Sequence, residues 1–546
     1  MTKTIIALET QLRLANTANE KSRIYRQLVS TSLRLEDIPE AERYLSLWLN
    51  YEPDSCEAHY IEGVVRQKKG ENTQSIKSFK TALTNNPSHI ASLYSLGTLL
   101  YQAGDTNKSM ACFESILKIE PNHIAALFNM SLITTKSGHF EQSLQHLNRI
   151  LKYNPADLKA ISQKGHVLLL QEKYEEARLC FTMRLSAEPH HADTWHSLGL
   201  CETHLDNLCE AKKCFENCLE DNASHPLAHH DLANVLVSLG DYSNALTHYF
   251  KHCEQTPDAE SFYNIAVILM HREHHEDSLT YFIQSLKIDP HNKDALVNIG
   301  NIYLKQNKVQ DAVSHYQQAL EMAPEDKEVK HILSALTGKK VHSRAPQQFV
   351  RNLFNQYAPY YDQHLQKQLR YDTPEQLFEI IAHDTPANQS WHVIDLGCGT
   401  GLCGEKFKLY AKKLIGIDLA QNMIDVARKK NIYDQLICDD IHDAIIEYRD
   451  IDLIIAGDVF SYIGDLSDIL QHCYNALQEG GVLLFTVEKS HVSRFVLQKN
   501  IRYGHNEKYL RKIMKNHNWT MLEIEPIILR YQNNKPVYGY TVLSKK

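Results

Sequence analysis

Over roughly the first 340 residues, apolar positions recur with helical spacing, and the helical stretches themselves recur. Prolines mark the beat. Pro53, Pro87, Pro121, Pro155 and Pro189 stand 34 residues apart, Pro257 follows by twice 34, Pro290 by 33 and Pro324 by 34. A small residue runs in phase at Gly63, Gly97, Ser131, Gly165, Gly199, Ala233, Ala266 and Gly300, and a bulky one at Phe79, Phe113, Leu147, Phe181, Phe215, Tyr249, Phe282 and Tyr316. A fixed period of this size predicts stacked helical hairpins. The small residue lets the first helix pack closely on the second, and the bulky one is a buried knob on the second. Proline then ends that helix by disfavouring α conformation in the residue before it.

The pattern stops near Gly338, and Lys339 to Pro346 reads as a short polar linker. From Trp391 apolar runs alternate with amphipathic stretches, which predicts strands, helices and a parallel sheet. Strands are expected near 392–396, 414–418, 436–438, 452–456 and 482–487, with Gly480 and Gly481 turning into the fifth. Helices are expected at 420–430 and 467–477, and a closing antiparallel hairpin at 520–529 and 537–543. The fold class is an all-α superhelix followed by an α/β domain with a seven-stranded mixed sheet.

Composition narrows the functional classes. The chain has 546 residues, which is too many for one core. A net charge of -8 argues against a nucleic-acid backbone binder. No apolar run approaches the roughly 20 residues of a bilayer span, and the N-terminus lacks a signal peptide's long apolar region, so a soluble, cytoplasmic protein is expected. The 12 cysteines are scattered and read as reduced thiols, with Cys214 and Cys218 at core positions. His271, His274 and His275 share a helix face, but the run reads as a solvated helix end, and no metal is expected.

The helical period resembles that of tetratricopeptide (TPR) repeats. Eight are clear between Cys56 and Asp326, a degenerate ninth lies near 22–55, and Asp326 to Leu336 would cap the array, giving a TPR domain over 1–336 and a linker over 337–348. The resemblance implies a concave face for a protein or peptide partner. One inward position reads Ser95, Asn129, Gln163, Ser197, Asp231, Asn264 and Asn298. Such a polar ladder could bond the backbone of an extended peptide; alternatively it is a solvent-facing position.

The densest motif is Val393 to Gly401, Val-Ile-Asp-Leu-Gly-Cys-Gly-Thr-Gly. A buried strand runs into a turn where alternate glycines let backbone approach a ligand. The segment resembles the first motif of class I S-adenosyl-L-methionine (SAM) methyltransferases, a Rossmann-like fold, and the resemblance extends over 349–546. It implies a cofactor-binding set of Asp395, Gly397, Cys398, Gly399, Gly401, Asp418, Leu419, Asp440, Ile441, Ala456 and Asp458. Asp418 would accept the ribose hydroxyls and Asp440 the adenine amino group, with Asp439 as the alternative and helix capping as the structural reading of both. Gly399, Gly401 and Gly404 also satisfy G-x-G-x-x-G, with Asp418 following as in NAD-binding folds. The closing hairpin and the residues before the first glycine suit that reading less well.

Phe354 to His364 resembles the lid helix of quinone- and biotin-pathway methyltransferases, with Tyr357 and Tyr361 as its aromatic residues. Together with Arg502–His505 and Tyr509–Arg511, the chain resembles a bacterial family that joins TPR repeats to such a domain. Asp458-Val-Phe-Ser replaces the Pro-Pro-Tyr type of motif expected in base-amino DNA methyltransferases. His505 is the first candidate general base, followed by Asp458 and Glu488. Three functions follow: an enzyme whose arm recruits or presents a protein; a small-molecule O- or N-methyltransferase whose arm serves assembly; and a non-catalytic scaffold with a vestigial SAM domain.

Overall fold

The computed structural model describes residues 2–15, 17–338, 342–367, 369–386, 389–492, 494–532 and 534–546. They divide into two compact units, Met1–Pro257 and Asp258–Lys546. No described helix is long and apolar enough to cross a membrane.

The first unit is built of helical hairpins. Cys56–Lys68 pairs with Asn72–Asn85, Ile90–Gln102 with Thr106–Ile119, and the order continues to Ala228–Ser238 with Tyr242–Gln255. The phenyl knobs Phe79, Phe113, Phe181 and Phe215 are fully buried. Each rests against the small residue of its partner helix: a Cβ on Gly63 would lie 2.4 Å from the Phe79 ring, and one on Gly165 2.7 Å from Phe181. In these hairpins an added methyl group would force the ring to shift, although elsewhere Ala266 stands opposite the buried Phe282. Where the small position carries Ser131, the knob is the smaller Leu147. A hydrogen bond repeats beside it, in which Ser75, Ser109 and Ser143 donate across the hairpin to the carbonyls of Gly63, Gly97 and Ser131 at 2.7, 2.7 and 3.0 Å.

Some of the abundant histidine has a local use here. His89, His123, His191 and His225 accept backbone N–H groups through Nδ1 at 3.3, 3.1, 3.2 and 3.2 Å, standing at helix starts where Asp157 serves elsewhere. The prolines fall just past the second helices; Asn86, for example, is extended at φ -142° before Pro87.

The second unit opens with two more hairpins, Ala259–His271 with His275–Ile288 and Lys293–Lys305 with Val309–Met322, and a closing helix Lys327–Thr337. Gly338, at φ 69°, ends that helix in the left-handed conformation that glycine adopts freely. The first part of the expected linker, 339–341, lies outside the described residues. From His342 the chain is not a free tether. Tyr503 donates its hydroxyl to the His342 carbonyl at 2.8 Å, and the Ser343 carbonyl accepts from Gly464 and Asp465 at 2.7 and 2.9 Å. Ala345 donates to the Tyr462 carbonyl at 2.9 Å, and Arg344 bridges Ile463 as in a two-residue antiparallel ladder. The described part of that stretch, His342 to Ala345, is thus bonded to the α/β domain.

Among the described residues, nine strands form one sheet: β1 Trp391–Leu396, β2 Ala411–Asp418, β3 Gln435–Cys438, β4 Ile451–Ala456, β5 Leu477–Lys489, β6 Phe495–Leu497, β7 Tyr503–His505, β8 Thr520–Gln532 and β9 Lys535–Lys545. The first five run parallel in the order β3-β2-β1-β4-β5, and β9 and β8 follow antiparallel. These are the seven expected. The other two are a three-residue hairpin, β6 and β7, which continues from the end of β5. Alternate residues of β1 face opposite cores: Val393 packs with Leu377, Phe407 and Leu414, while Ile394 and Leu396 pack with Ile415, Ile454 and Phe485. Strand order reverses between β2 and β4 on either side of β1. In such sheets the crevice beyond the carboxyl ends of the strands is where ligands bind.

Candidate functional site

A cleft opens at that crevice. Gly397, Gly399, Asp418, Leu419, Asp440, Ile441 and Asp458 line it, as does Tyr361. Gly397 and Gly399 have φ of 63° and 54°. A side chain on Gly397 would run into Val459 at 2.4 Å, whereas above Gly399 the nearest atom is Tyr361 Cε1 at 3.9 Å. The second glycine thus leaves bare backbone facing the cleft.

Asp418 ends β2 at the floor of this opening. Its Oδ2 accepts from the Gly399 N–H at 2.9 Å and its Oδ1 from the Ala420 N–H at 2.8 Å. Burial raises its pKa to about 6, against these backbone hydrogen bonds. A carboxylate oxygen can accept more than one hydrogen bond, so Asp418, which lines the cleft, suits a vicinal diol. Leu419 and Ile441 supply apolar surface for a flat ring. The glycine backbone, the paired acceptor and the apolar walls together fit a nucleoside carrying an amino-acid tail.

Several expected cofactor residues lie off the cleft wall. Asp395 is buried behind the loop, where its Oδ2 accepts the Tyr433 hydroxyl at 2.7 Å, and burial lifts its pKa to about 7. It braces the glycine turn from behind. Cys398 is buried, Gly401 begins the helix Leu402–Phe407 at φ 93°, and Ala456 is sealed inside the end of β4. The neighbouring Gly457 takes the wall position. Asp439 is exposed and accepts from the Asp440 N–H at 2.8 Å. Of the two acids, Asp440 is the one at the cleft. It also caps the helix Ile441–Ile445 by accepting from the His442 N–H at 2.9 Å. Burial pushes its pKa up, but hydrogen bonds from His442 and Gln347 outweigh this and hold it at about 2.

The lid residues divide. Tyr361 faces the cleft, while Tyr357 contacts His364 and lines a second, more open cleft with Tyr360, Asn500, Arg502 and Arg530. Asp362 fastens the lid by accepting from Thr400 and pairing with Lys430 at 3.1 Å.

Asp458 stands between the two clefts. Its backbone is left-handed at φ 60°, a strained conformation held by its N–H donating to Thr486 at 2.7 Å. Arg502 donates to its Oδ2 at 2.9 Å and Arg530 at 3.1 Å. Burial raises its pKa, but Arg530 and Arg502 dominate and hold it below the usual carboxylate value. Glu488 is fully buried and accepts from Arg530 and, at 3.0 Å, from Asn500. His505 lies in β7 with no exposed surface; its Nε2 donates to the Gly464 carbonyl at 3.0 Å, and burial pushes its pKa down to about 4. It lines neither cleft, so the geometry removes it from the role of general base.

The structure adds residues that sequence reading missed. Arg344, Gln347, Phe354 and Tyr462 complete the first cleft, and Arg530 joins the charge cluster. Gln347 reaches Asp440 from 93 positions away. Only an arginine set in an otherwise apolar strand pattern, Ile-Ile-Leu-Arg530, carried a local signal.

The polar ladder is engaged within the helices. Asn129 donates to the Ala125 carbonyl at 2.8 Å and reaches the Tyr94 hydroxyl at 3.4 Å, and Gln163 reaches Thr135 at 3.4 Å. Ser197 is buried and donates to the Asp193 carbonyl at 2.8 Å, while Asp231 accepts from His196 at 2.7 Å. In the second unit Asn298 donates to Tyr263 at 3.3 Å, and Asn264 is half-buried; Ser95 is half-buried in the first. His271 and His274 are exposed at a helix end.

Comparison with known proteins agrees with this architecture. Residues 394–485 match the family model described as Methyltransferase domain, and residues 90–123 and 258–325 match models described as Tetratricopeptide repeat. The chain is 32% identical over 167 residues to malonyl-[acyl-carrier protein] O-methyltransferase of Bacillus anthracis, covering 28% of this chain and 60% of that one. It is 28% identical over 99 residues to ubiquinone biosynthesis O-methyltransferase of Coxiella burnetii, covering 17% and 42%. The chain thus spans less than two thirds of the length of these curated relatives. Among solved structures, magnesium protoporphyrin IX methyltransferase from Synechocystis PCC 6803 with bound SAM aligns at 15% identity and a TM-score of 0.30, over 38% of this chain and 99% of its own; YrrB, a TPR protein, aligns at 20% identity and a TM-score of 0.32, over 34% of this chain and 96% of its own. The chain carries a methyltransferase domain together with TPR repeats.

Proposed function

We propose that this chain transfers a methyl group from SAM to a carboxylate oxygen of an acceptor that enters by the second cleft. SAM supplies a methyl group already activated on a sulfonium sulfur. Asp418 takes the ribose hydroxyls, the bare backbone at Gly399 admits the amino-acid tail, and Leu419 and Ile441 pad the base. Tyr361 and Phe354 keep water from the methyl group. Asp458, pinned by two arginines, marks the boundary across which acceptor and donor align.

The observation that carries the acceptor is that none of the three candidate bases is free. Asp458 and Glu488 are tied to arginines, and His505 is sealed within the sheet. A carboxylate is ionised at neutral pH and needs no proton removed, unlike an amine or an alcohol. Arg502 lines the second cleft and meets Asp458 through Nη1, and a guanidinium edge matches a carboxylate's two oxygens. The O-methyltransferase names of the relatives support an oxygen acceptor.

The TPR array would present a protein-borne acceptor to this cleft. A second reading, in which the array serves assembly alone and the acceptor is a small molecule, is favoured by the internal bonds of the polar ladder.

Two measurements test this function. Calorimetry with S-adenosylhomocysteine should show binding, weakened by about 1–3 kcal/mol in Asp418→Ala. Unchanged affinity in that variant removes Asp418 from the ribose role. Tritiated-methyl labelling of a lysate by the purified chain should give label released as methanol by mild alkali, and alkali-stable label would sink the carboxylate acceptor.

A further inference from the structure

The carboxylate of Asp440 has little capacity left for a ligand. Its Oδ1 accepts the His442 N–H at 2.9 Å and lies 3.2 Å from His442 Nδ1. Its Oδ2 accepts from Gln347 Nε2 at 2.5 Å, with Arg344 Nη1 at 3.5 Å. The acid expected to read the adenine amino group is thus already surrounded by the protein's own donors.

The amide facing it has one possible orientation. An ionised carboxylate only accepts, so Gln347 must turn its NH₂ toward Asp440, and its carbonyl oxygen must point away from it. Gln347 lines the same cleft as Gly399, Asp418, Leu419 and Ile441. Its backbone begins the helix Gln347–Tyr357, directly after the segment bonded to Tyr462 and Gly464. The side chain is therefore fixed at both ends, with an acceptor left over.

We infer that Gln347 is the residue that reads the base of the bound nucleoside, its Oε1 accepting a hydrogen bond from the exocyclic amino group. Asp440 and Arg344 act through it as positioning residues. This inference rests on the cofactor proposed above. It assigns base recognition to the segment that leaves the repeats, outside the 394–485 match.

The test uses the full chain and two ligands, S-adenosylhomocysteine and S-inosylhomocysteine. The second replaces the donating amino group with an accepting oxygen. Wild type should bind the adenosyl ligand about tenfold or more tightly than the inosyl one, because the wrong ligand leaves a buried acceptor facing an acceptor. Gln347→Ala and the near-isosteric Gln347→Leu should weaken the adenosyl ligand about tenfold and bring the ratio close to one, with melting temperature unchanged. Asp440→Asn should also lower the ratio, since an asparagine can donate and lets the amide turn over. Gln347 variants that weaken both ligands equally, or neither, overturn the assignment. A wild type that binds both ligands equally overturns base reading alone, whereas one that binds neither overturns the cofactor as well.

Discussion

Asp395 ends the run before the glycine turn and Asp418 bonds the turn's Gly399 N–H, and their environments give them different work. Asp418 faces the cleft, and Asp395 faces Tyr433. Asp395 has a pKa raised to about 7 by burial, above the unfolded value, so its protonated form is the one the fold prefers. That preference contributes fully below pH ~4 and is lost as pH rises through ~7. The ligand-free protein should accordingly lose stability from this group between pH 5 and 8. Asp395→Asn, which can still accept from Tyr433, should melt higher than wild type at pH 8, by a free energy of order 2 kcal/mol, with the gap closing by pH 5. A gap that widens toward acid would show that the carboxylate is favoured ionised. Both acids were legible in the sequence, Asp395 because it stands two residues before Gly397 and Asp418 because it ends the second strand. Gln347 and Arg344 were not, because nothing in a polar stretch tells which distant acid it will meet.

The repeat hairpin gives a sharper rule at the scale of an element. Glycine on the first helix goes with an aromatic ring on the second, alanine at Ala233 and Ala266 goes with Tyr249 and Phe282, and Ser131 goes with Leu147. The pairing reads as a volume constraint. Gly165→Ala should destabilise the first unit by about 1–3 kcal/mol, since the new methyl group overlaps Phe181 by more than alanine's better helix propensity offsets. Combining it with Phe181→Leu should restore part of the loss, and a double-mutant cycle in urea should give a favourable coupling energy. Additive penalties would mean that ring and methyl do not compete for the same space. The period made these hairpins readable without any structure. The β6–β7 hairpin was unreadable because two three-residue strands are too short to show alternation.

For the whole molecule, the cofactor site does not coincide with the part that looks most like an enzyme. The match to a methyltransferase domain begins at residue 394, yet Arg344 and Gln347 lie some 50 residues earlier. A chain shortened to begin at Asp258 should keep S-adenosylhomocysteine affinity and lose turnover on a protein-borne acceptor. Undiminished turnover would leave the first unit with assembly alone. A chain beginning at 349 should fall at least tenfold in affinity, because Asp440 then faces no amide. Equal affinity of the two shortened chains would show that the segment after the repeats is dispensable.

The Asp440–Gln347 bond also bears on how such a gene can be rearranged. Exchange of repeat arrays is tolerated only at joints that no distant residue depends upon. A crossover between 338 and 349 would import a foreign segment and leave Asp440 beside whatever side chain arrived with it. One placed between hairpins upstream of Lys327 would keep the wall of the cleft and change only what the arm carries. The closing helix and the residues after it would thus have to move with the catalytic domain, although the helix by its sequence caps the repeats.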